Sequence, residues 1–255
     1  MRSSSKIFTI AVLASALALG ACGGSQDAPP GPLAQHFDDM YIAAIPLDQK
    51  QPVVQSQNDW SLAKMENAKA EADLNESTTQ LTVVRNDQKA TKLAVDSAVS
   101  NKKSADASAD TNRMNQAAKD LHTAEDLAKA ADDRVKYFEA YRDYLKLVLR
   151  NAQENMYWRE AQYELAKAQL GQKNSIAPKG VQYDTFPKQE QERGKRTSSA
   201  KERVDAGKQR VMSARDNWLK AQESADRENG HPTNLPDPMA PKSAAATTES
   251  TGSSP

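Results

Sequence analysis

Apolar residues recur every three or four positions through most of the stretch between Pro52 and Gly171, which contains no other glycine or proline. Because most tight turns use one of those two residue types, the stretch is predicted to be helical. A heptad frame gathers a first apolar column, Trp60, Ala63, Ala70, Leu74, Leu81, Val84, Val95 and Ala98. Polar residues interrupt this column, so it predicts a weak coiled-coil helix.

A second, denser column follows further along the chain. Its members are Met114, Ala117, Leu121, Ala124, Ala128, Ala131, Val135, Phe138, Leu145, Leu149, Ala152, Met156, Tyr163, Ala166 and Leu170. Arg142 and Arg159 interrupt it. Another stripe, formed by Tyr137, Tyr141, Tyr144 and Val148, lies roughly 90° away on a helical wheel. A helix with two apolar faces is expected to touch two neighbouring helices.

The two columns are separated by a polar segment. Between Val99 and Met114 there is no large apolar residue, so a helix there would have no face to bury. We therefore expect residues 56–170 to form a long helical hairpin with its turn near residues 101–111. The alternative is one continuous helix through residue 170.

A third helix is predicted over residues 187–229, after a linker at residues 171–186. Pro187 suits a first helical turn, and apolar residues recur every seventh position at Val204, Val211, Trp218 and Ala225. Gly171 is expected to end the second helix and Gly230 the third. The fold class is all-α: an elongated antiparallel helical hairpin or coiled coil, with a third helix packed at its base and disordered tails on both sides.

The two ends of the chain differ from the middle. Residues 22–55 are predicted to be a tether, in which Leu33, Phe37, Met40 and Tyr41 share one helical face. This face could dock on the helical body, which we favour, or lie at a bilayer interface. Residues 230–255 are rich in Pro, Ser, Thr and Ala. They are predicted to be disordered, since they can bury little apolar surface.

Residues 1–21 have the pattern of an export signal. Arg2 and Lys6 precede an apolar run that is too short for a permanent membrane span. The run ends in Leu19-Gly20-Ala21-Cys22, which resembles the lipobox of bacterial lipoproteins. The resemblance implies cleavage before Cys22, a diacylglyceryl group on its thiol and, in many bacteria, an acyl group on its amine. Gly23 in place of aspartate favours the periplasmic face of the outer membrane.

Composition and charge exclude several classes of function. Lys and Arg number 34, as do Asp and Glu, so the formal net charge is zero, and a nucleic-acid partner is not expected. The single cysteine allows no internal disulfide. No phosphate-binding loop, nucleophile motif or metal-binding histidine pair occurs. We therefore expect neither catalysis nor any cofactor or metal apart from the lipid on Cys22.

The candidate partner surface lies where the aromatic residues concentrate. Tyr137, Tyr141 and Tyr144 share one stripe, and Arg142 and Arg159 place charge in the neighbouring apolar column. A charge in such a column costs stability unless it is paired. Either these arginines pair with carboxylates or tyrosines of their surroundings, or they form a patch that binds a partner.

Three functions fit these features. The leading hypothesis is a non-catalytic, membrane-anchored coiled-coil lipoprotein of the cell envelope, acting as scaffold, spacer or adaptor. Its partners would be the bilayer, through Cys22, and another envelope protein or a second copy, through helical faces. The alternatives are a periplasmic holdase-type chaperone and an accessory component of an envelope export or efflux assembly.

Overall fold

The computed structural model describes residues 30–240. The signal segment, Cys22 and residues 241–255 lie outside this range. Within it every regular element is helical: α1 (Asp39–Ile42), a 3-10 turn (Leu47–Lys50), α2 (Gln51–Asp106), α3 (Thr111–Lys173) and α4 (Thr185–Asn229). The all-α prediction is thereby confirmed.

Helices α2 and α3 form the predicted hairpin, and the alternative of one continuous helix is wrong. The chain reverses over residues 107–110, where Ala109 has a φ of 54°. Asp110 then caps α3, because its carboxylate accepts hydrogen bonds from the backbone N–H groups of Asn112 and Arg113. At 1.5 Å per residue, α2 is about 84 Å long and α3 about 95 Å. We call the turn end the tip and the opposite end the base.

Helix α4 returns from the base and packs along α3. The prediction that a third helix packs at the base is confirmed, and the contact extends well beyond the base. Phe186 lies beside Phe37 at the base, whereas Trp218 stacks on Tyr137, far along α3. The second apolar face of α3 therefore contacts α4, as its tyrosine stripe predicts.

The helix bounds differ from the predicted ones at several places, including the start of α4 at Thr185 rather than residue 187. Helix α2 begins at Gln51 rather than residue 56, with Pro52 in its first turn, where the missing N–H costs nothing. Helix α3 continues through Gly171 to Lys173, so Gly171 does not end it. A Cβ on Gly171 would lie 2.6 Å from Cζ of Phe37, and the glycine is explained by this close approach.

The buried apolar residues form two clusters along the molecule. The base cluster contains Phe37, Ile42, Ile45, Val53, Tyr163, Ala168, Leu170 and Phe186. The middle cluster contains Leu81, Val84, Val135, Tyr137, Phe138, Val211 and Trp218. Near the tip the buried apolar side chains are alanines, such as Ala98, Ala105 and Ala117. Stabilising contacts are therefore concentrated in the base and middle, and the tip buries little apolar surface.

Candidate functional site

The N-terminal segment is held against the base by an apolar anchor. Leu33 and Phe37 are buried, and the Phe37 ring lies 5.9 Å from Tyr183 and 6.0 Å from Phe186. The backbone N–H of Phe37 donates a hydrogen bond of 2.6 Å to the buried Glu164 carboxylate. We call residues 31–45 the base clasp. The interpretation of residues 22–55 as a tether therefore does not hold for residues 31–45, where the docking on the helical body that we favoured is observed.

A charged network adds to the apolar anchor. The Lys167 ammonium lies 2.8 Å from Asp39 and 2.9 Å from Glu164. The side chains of Lys167 and Glu164 are only 5% exposed. Burial lowers the pKa of Lys167, but the hydrogen bonds that its ammonium donates to the Asp39 and Glu164 carboxylates outweigh burial and leave the pKa raised. Lys167 is therefore charged at neutral pH and ties the clasp to α3.

Two side chains of α4 form hydrogen bonds with the backbone at the start of the base clasp. Arg193 donates hydrogen bonds to the carbonyls of Gly31, at 2.8 Å, and Pro32, at 3.3 Å. The Gln189 amide oxygen accepts from the backbone N–H groups of Ala34 and Gln35, both at 3.1 Å. The segment is therefore fixed from Gly31 onward.

The predicted docking face is only partly docked. Leu33 and Phe37 are buried as expected, but Met40 is 74% and Tyr41 is 37% exposed. The physical reason is that the helical turn is short: α1 spans only Asp39–Ile42. Leu33 and Phe37 precede it in non-helical backbone and reach the base separately.

Tyr137 does not belong to an exposed partner surface. Its side chain is 0% exposed, and its ring stacks on Trp218 with centroids 5.3 Å apart and planes 8° apart. Burial, followed by the adjacent Asp237 carboxylate, raises the pKa of Tyr137. The assignment of Tyr137 to a partner surface is wrong, because α4 already occupies this face. Tyr141 and Tyr144 are half-buried beside it, and their role in partner binding stays a prediction.

The two arginines in the apolar column have partners within the chain. Arg142 donates to the Asp143 carboxylate at 3.3 Å. Arg159 donates to Gln162 at 2.9 Å, and its guanidinium lies 4.7 Å from the Trp158 ring. It is also 4.0 Å from Asp59 on α2. Each charge therefore has a partner within the chain, although the buried Nε of Arg142 has no hydrogen-bond partner among the described residues. A patch that binds a partner stays a prediction.

The start of the C-terminal region packs on the helices, against the prediction of disorder from residue 230 onward. We call residues 231–240 the C-terminal strap. Asp237 accepts 2.6 Å hydrogen bonds from the Tyr137 hydroxyl and from Arg215. Leu235 and Met239 pack against the middle cluster. The strap orders because a buried tyrosine hydroxyl and an arginine need an acceptor; residues 241–255 lie outside the described range.

A buried carboxylate joins α3 to α4 between the two clusters. Glu154 has a side chain only 3% exposed. It accepts from Arg150 of its own helix at 2.7 Å and from Arg196 of α4 at 3.1 Å. Both contacts are made by Oε1, whereas Oε2 of Glu154 is buried without a hydrogen-bond partner among the described residues. The pairing of the buried charge with two arginines explains Glu154 as a structural contact.

The described residues offer little for small-molecule chemistry. Among residues 30–240, no group of three or more His, Cys, Asp or Glu side chains could hold a metal ion. An apolar cavity of about 180 Å³ lies under the strap, bounded by Val84, Leu127, Arg134 and Leu235. None of the helices in this range is long and apolar enough to cross a membrane.

Comparison with known proteins identifies no relative. No protein-family model matches the sequence, and it has no match among curated proteins or solved structures.

Proposed function

We propose that the protein is a non-catalytic, lipid-anchored coiled-coil scaffold or spacer of the bacterial cell envelope. Cys22 would carry a diacylglyceryl group and an acyl chain, and would hold the protein on the periplasmic face of the outer membrane. Two or three acyl chains on one residue give stable anchoring, since each buried methylene contributes about 0.8 kcal/mol.

The base clasp is the observation that carries this proposal. Gly31 is fixed by Arg193, and Cys22 is nine residues earlier in the sequence. A chain can extend by at most about 3.6 Å per residue, so Gly31 would lie within about 32 Å of the lipid-bearing residue. If the chain were flexible as far as residue 55, the helical body could lie much further from the lipid-bearing residue. A lipid on Cys22 would therefore keep the base near the membrane surface.

The helical arms supply the distance that a spacer needs. With the base at the membrane, α2 and α3 can project the tip by up to about 84 to 95 Å. The ion pair between the buried Glu154 of α3 and the partly exposed Arg196 of α4 and the two apolar clusters stiffen the lower part of the arm. An envelope protein could be held at the tip or along an exposed helical face.

Fatty-acid labelling tests the anchor. Cells fed an alkyne-tagged fatty acid are expected to label the wild-type protein strongly, whereas Cys22→Ala should carry no label. Ser25→Ala, three residues later, is the matched control and should label like the wild type. Equal labelling of Cys22→Ala and the wild type would contradict lipid attachment at Cys22.

A separate variant shows whether that lipid is what holds the protein at the membrane. The Cys22→Ala precursor retains its apolar signal segment, so a chain starting at Gly23 is exported behind a cleavable secretory signal. We expect this chain to move from the membrane fraction to the soluble periplasmic fraction.

A further inference from the structure

Helix α2 carries an exposed column without charge on the side that faces away from α3. In the heptad frame that places Ala63, Ala70 and Leu81 against α3, one outer position repeats every seventh residue. That column is Asn58, Met65, Ala72, Thr79, Asn86, Leu93 and Ser100. All of these residues are exposed, and none is ionisable. Outer positions of a coiled coil normally carry many charged residues, which keep them solvated.

Helix α3 shows the normal pattern in the same molecule. Four exposed residues of α3 recur at the same seven-residue spacing, and all four are ionisable: His122, Lys129, Lys136 and Asp143. The absence of charge from the α2 column is therefore a property of that column and not of the composition of the chain.

Large apolar side chains lie on and beside the same column. Met65 is 64% and Leu93 is 69% exposed, and both belong to it. Leu62, at 55%, and Val83, at 54%, occupy the adjacent heptad position. Helix α3 lies between α2 and α4, so no described helix covers this face. A stripe of apolar and small residues along an uncovered helix face is typical of a surface on which another helix packs.

We propose that the uncharged α2 column is a self-association surface, on which α2 of a second copy packs in parallel and in register. Two-fold symmetry about an axis parallel to the helices would set each residue of the column against its own copy. A charged residue there would meet the same charge, so a column without charge is what such pairing requires. Asn58 and Asn86 could pair amide to amide and fix the register, as buried asparagines do in coiled coils.

The parallel direction rests on the proposed function. If each copy has its base clasped near a lipid in the same membrane, both hairpins point away from that membrane. An antiparallel pair would instead place one base far from the bilayer, beyond the approximately 32 Å that the chain before Gly31 can span. Lateral pairing of upright hairpins therefore brings the α2 faces together in the same direction.

The column is long enough for a stable contact. The column runs about 63 Å from Asn58 to Ser100, so a contact roughly one helix diameter, or 10 Å, wide covers about 630 Å² on each copy, or about 1,260 Å² in total. Stable protein interfaces bury about 1,200 to 2,000 Å² in total. The paired columns would therefore reach the lower end of that range, whereas a contact with only a few turns of a partner would not.

Cysteine cross-linking in membranes tests both the partner and the direction. Asn58→Cys, Thr79→Cys and Ser100→Cys each introduce one thiol, and the outer two lie about 63 Å apart. We expect all three variants to form disulfide-linked dimers on mild oxidation. Ser213→Cys, exposed on α4, is the control and should remain monomeric. A dimer at one site only, as an antiparallel pair would give, or at none, would overturn the proposal.

A charge placed in the column provides a second test. Met65→Glu with Leu93→Glu would set carboxylates against their copies, and we expect the detergent-solubilised full chain to dimerise at least tenfold more weakly. Leu219→Glu, at an exposed apolar residue of α4, is the matched control and should leave the dimer intact. Helix content by circular dichroism should be unchanged in all variants. A monomeric wild type, or a double variant that dimerises normally, would contradict self-association.

The lipid anchor and the dimer can fail separately. A maleimide added to the denatured wild-type protein would react with Cys22 if the proposed lipid is absent. The same three cysteine substitutions, made in the chain that starts at Gly23 behind a cleavable secretory signal, then report pairing without an anchor. Maleimide reaction at Cys22 together with persistent cross-links would mean that the lipid anchor is wrong and the dimer is right. No reaction at Cys22 together with no cross-links would mean that the dimer is wrong and the anchor is right.

Discussion

Trp218→Ala is expected to lower the free energy of unfolding by about 3 to 5 kcal/mol, the range for removing a large buried aromatic side chain. Trp218 is 2% exposed and stacks on Tyr137. Alanine would leave a cavity at the centre of the middle cluster, where α3 and α4 meet the C-terminal strap. Val211 and Val135 are β-branched and stiff at χ1, so the surrounding side chains can fill that cavity only in part.

Urea unfolding followed by circular dichroism measures this change. Leu219→Ala is the matched control, since Leu219 is the next residue and is 37% exposed. Leu219→Ala should lower the free energy of unfolding by less than about 1 kcal/mol. Equal losses for the two variants would show that the middle cluster does not hold α4 on α3.

Phe37→Ala is expected to release the base clasp. Phe37 is 1% exposed, and its truncation removes contacts with Tyr183 and Phe186 worth about 3 kcal/mol. Since each 1.4 kcal/mol changes an equilibrium about tenfold, the open form of the clasp should become more than about 100-fold more populated. The helices retain their own contacts, so unfolding should be local.

Limited proteolysis reports the opening of the clasp. Chymotrypsin should cut after Tyr41 far faster in Phe37→Ala than in the wild type, while α2 to α4 stay resistant. Leu47→Ala, at a residue 77% exposed in the same segment, should cut at the wild-type rate. An unchanged rate in Phe37→Ala would mean that Phe37 does not hold the N-terminal segment.

The helical architecture could be predicted because it depends on the spacing of apolar residues and breaks along short stretches of the chain. The absence of glycine and proline before Gly171 indicated long helices, and the loss of apolar residues after Val99 placed the turn. The tyrosine stripe correctly indicated a second neighbour for α3. These signals depend on residues three to seven positions apart, which a single sequence displays directly.

The clasp and the strap could not be predicted in detail because their contacts join distant parts of the chain. Gly171 looked like a helix terminus, but its missing side chain makes room for Phe37. Asp237 falls in the region that was predicted to be disordered, but it accepts a hydrogen bond from Tyr137, a hundred positions earlier. No local pattern reveals such partners.

The choice of partner surface failed at Tyr137 for a related reason. Aromatic residues suggested an interface, and Tyr137 does lie in one, within the chain. The better signal for an external contact was the absence of charge from an exposed column of α2. It becomes visible only when the structure shows which side of the helix faces away from α3.

The position of the base relative to the membrane tests the central claim most directly. Leu47→Cys and Asn101→Cys place one fluorophore at the base and one near the tip of the lipidated protein in vesicles, and lipids with spin-labelled headgroups quench only nearby dyes. We predict strong quenching at residue 47 and almost none at residue 101. Equal quenching at both sites, or stronger quenching at the tip, would contradict a base held at the membrane by the lipid on Cys22.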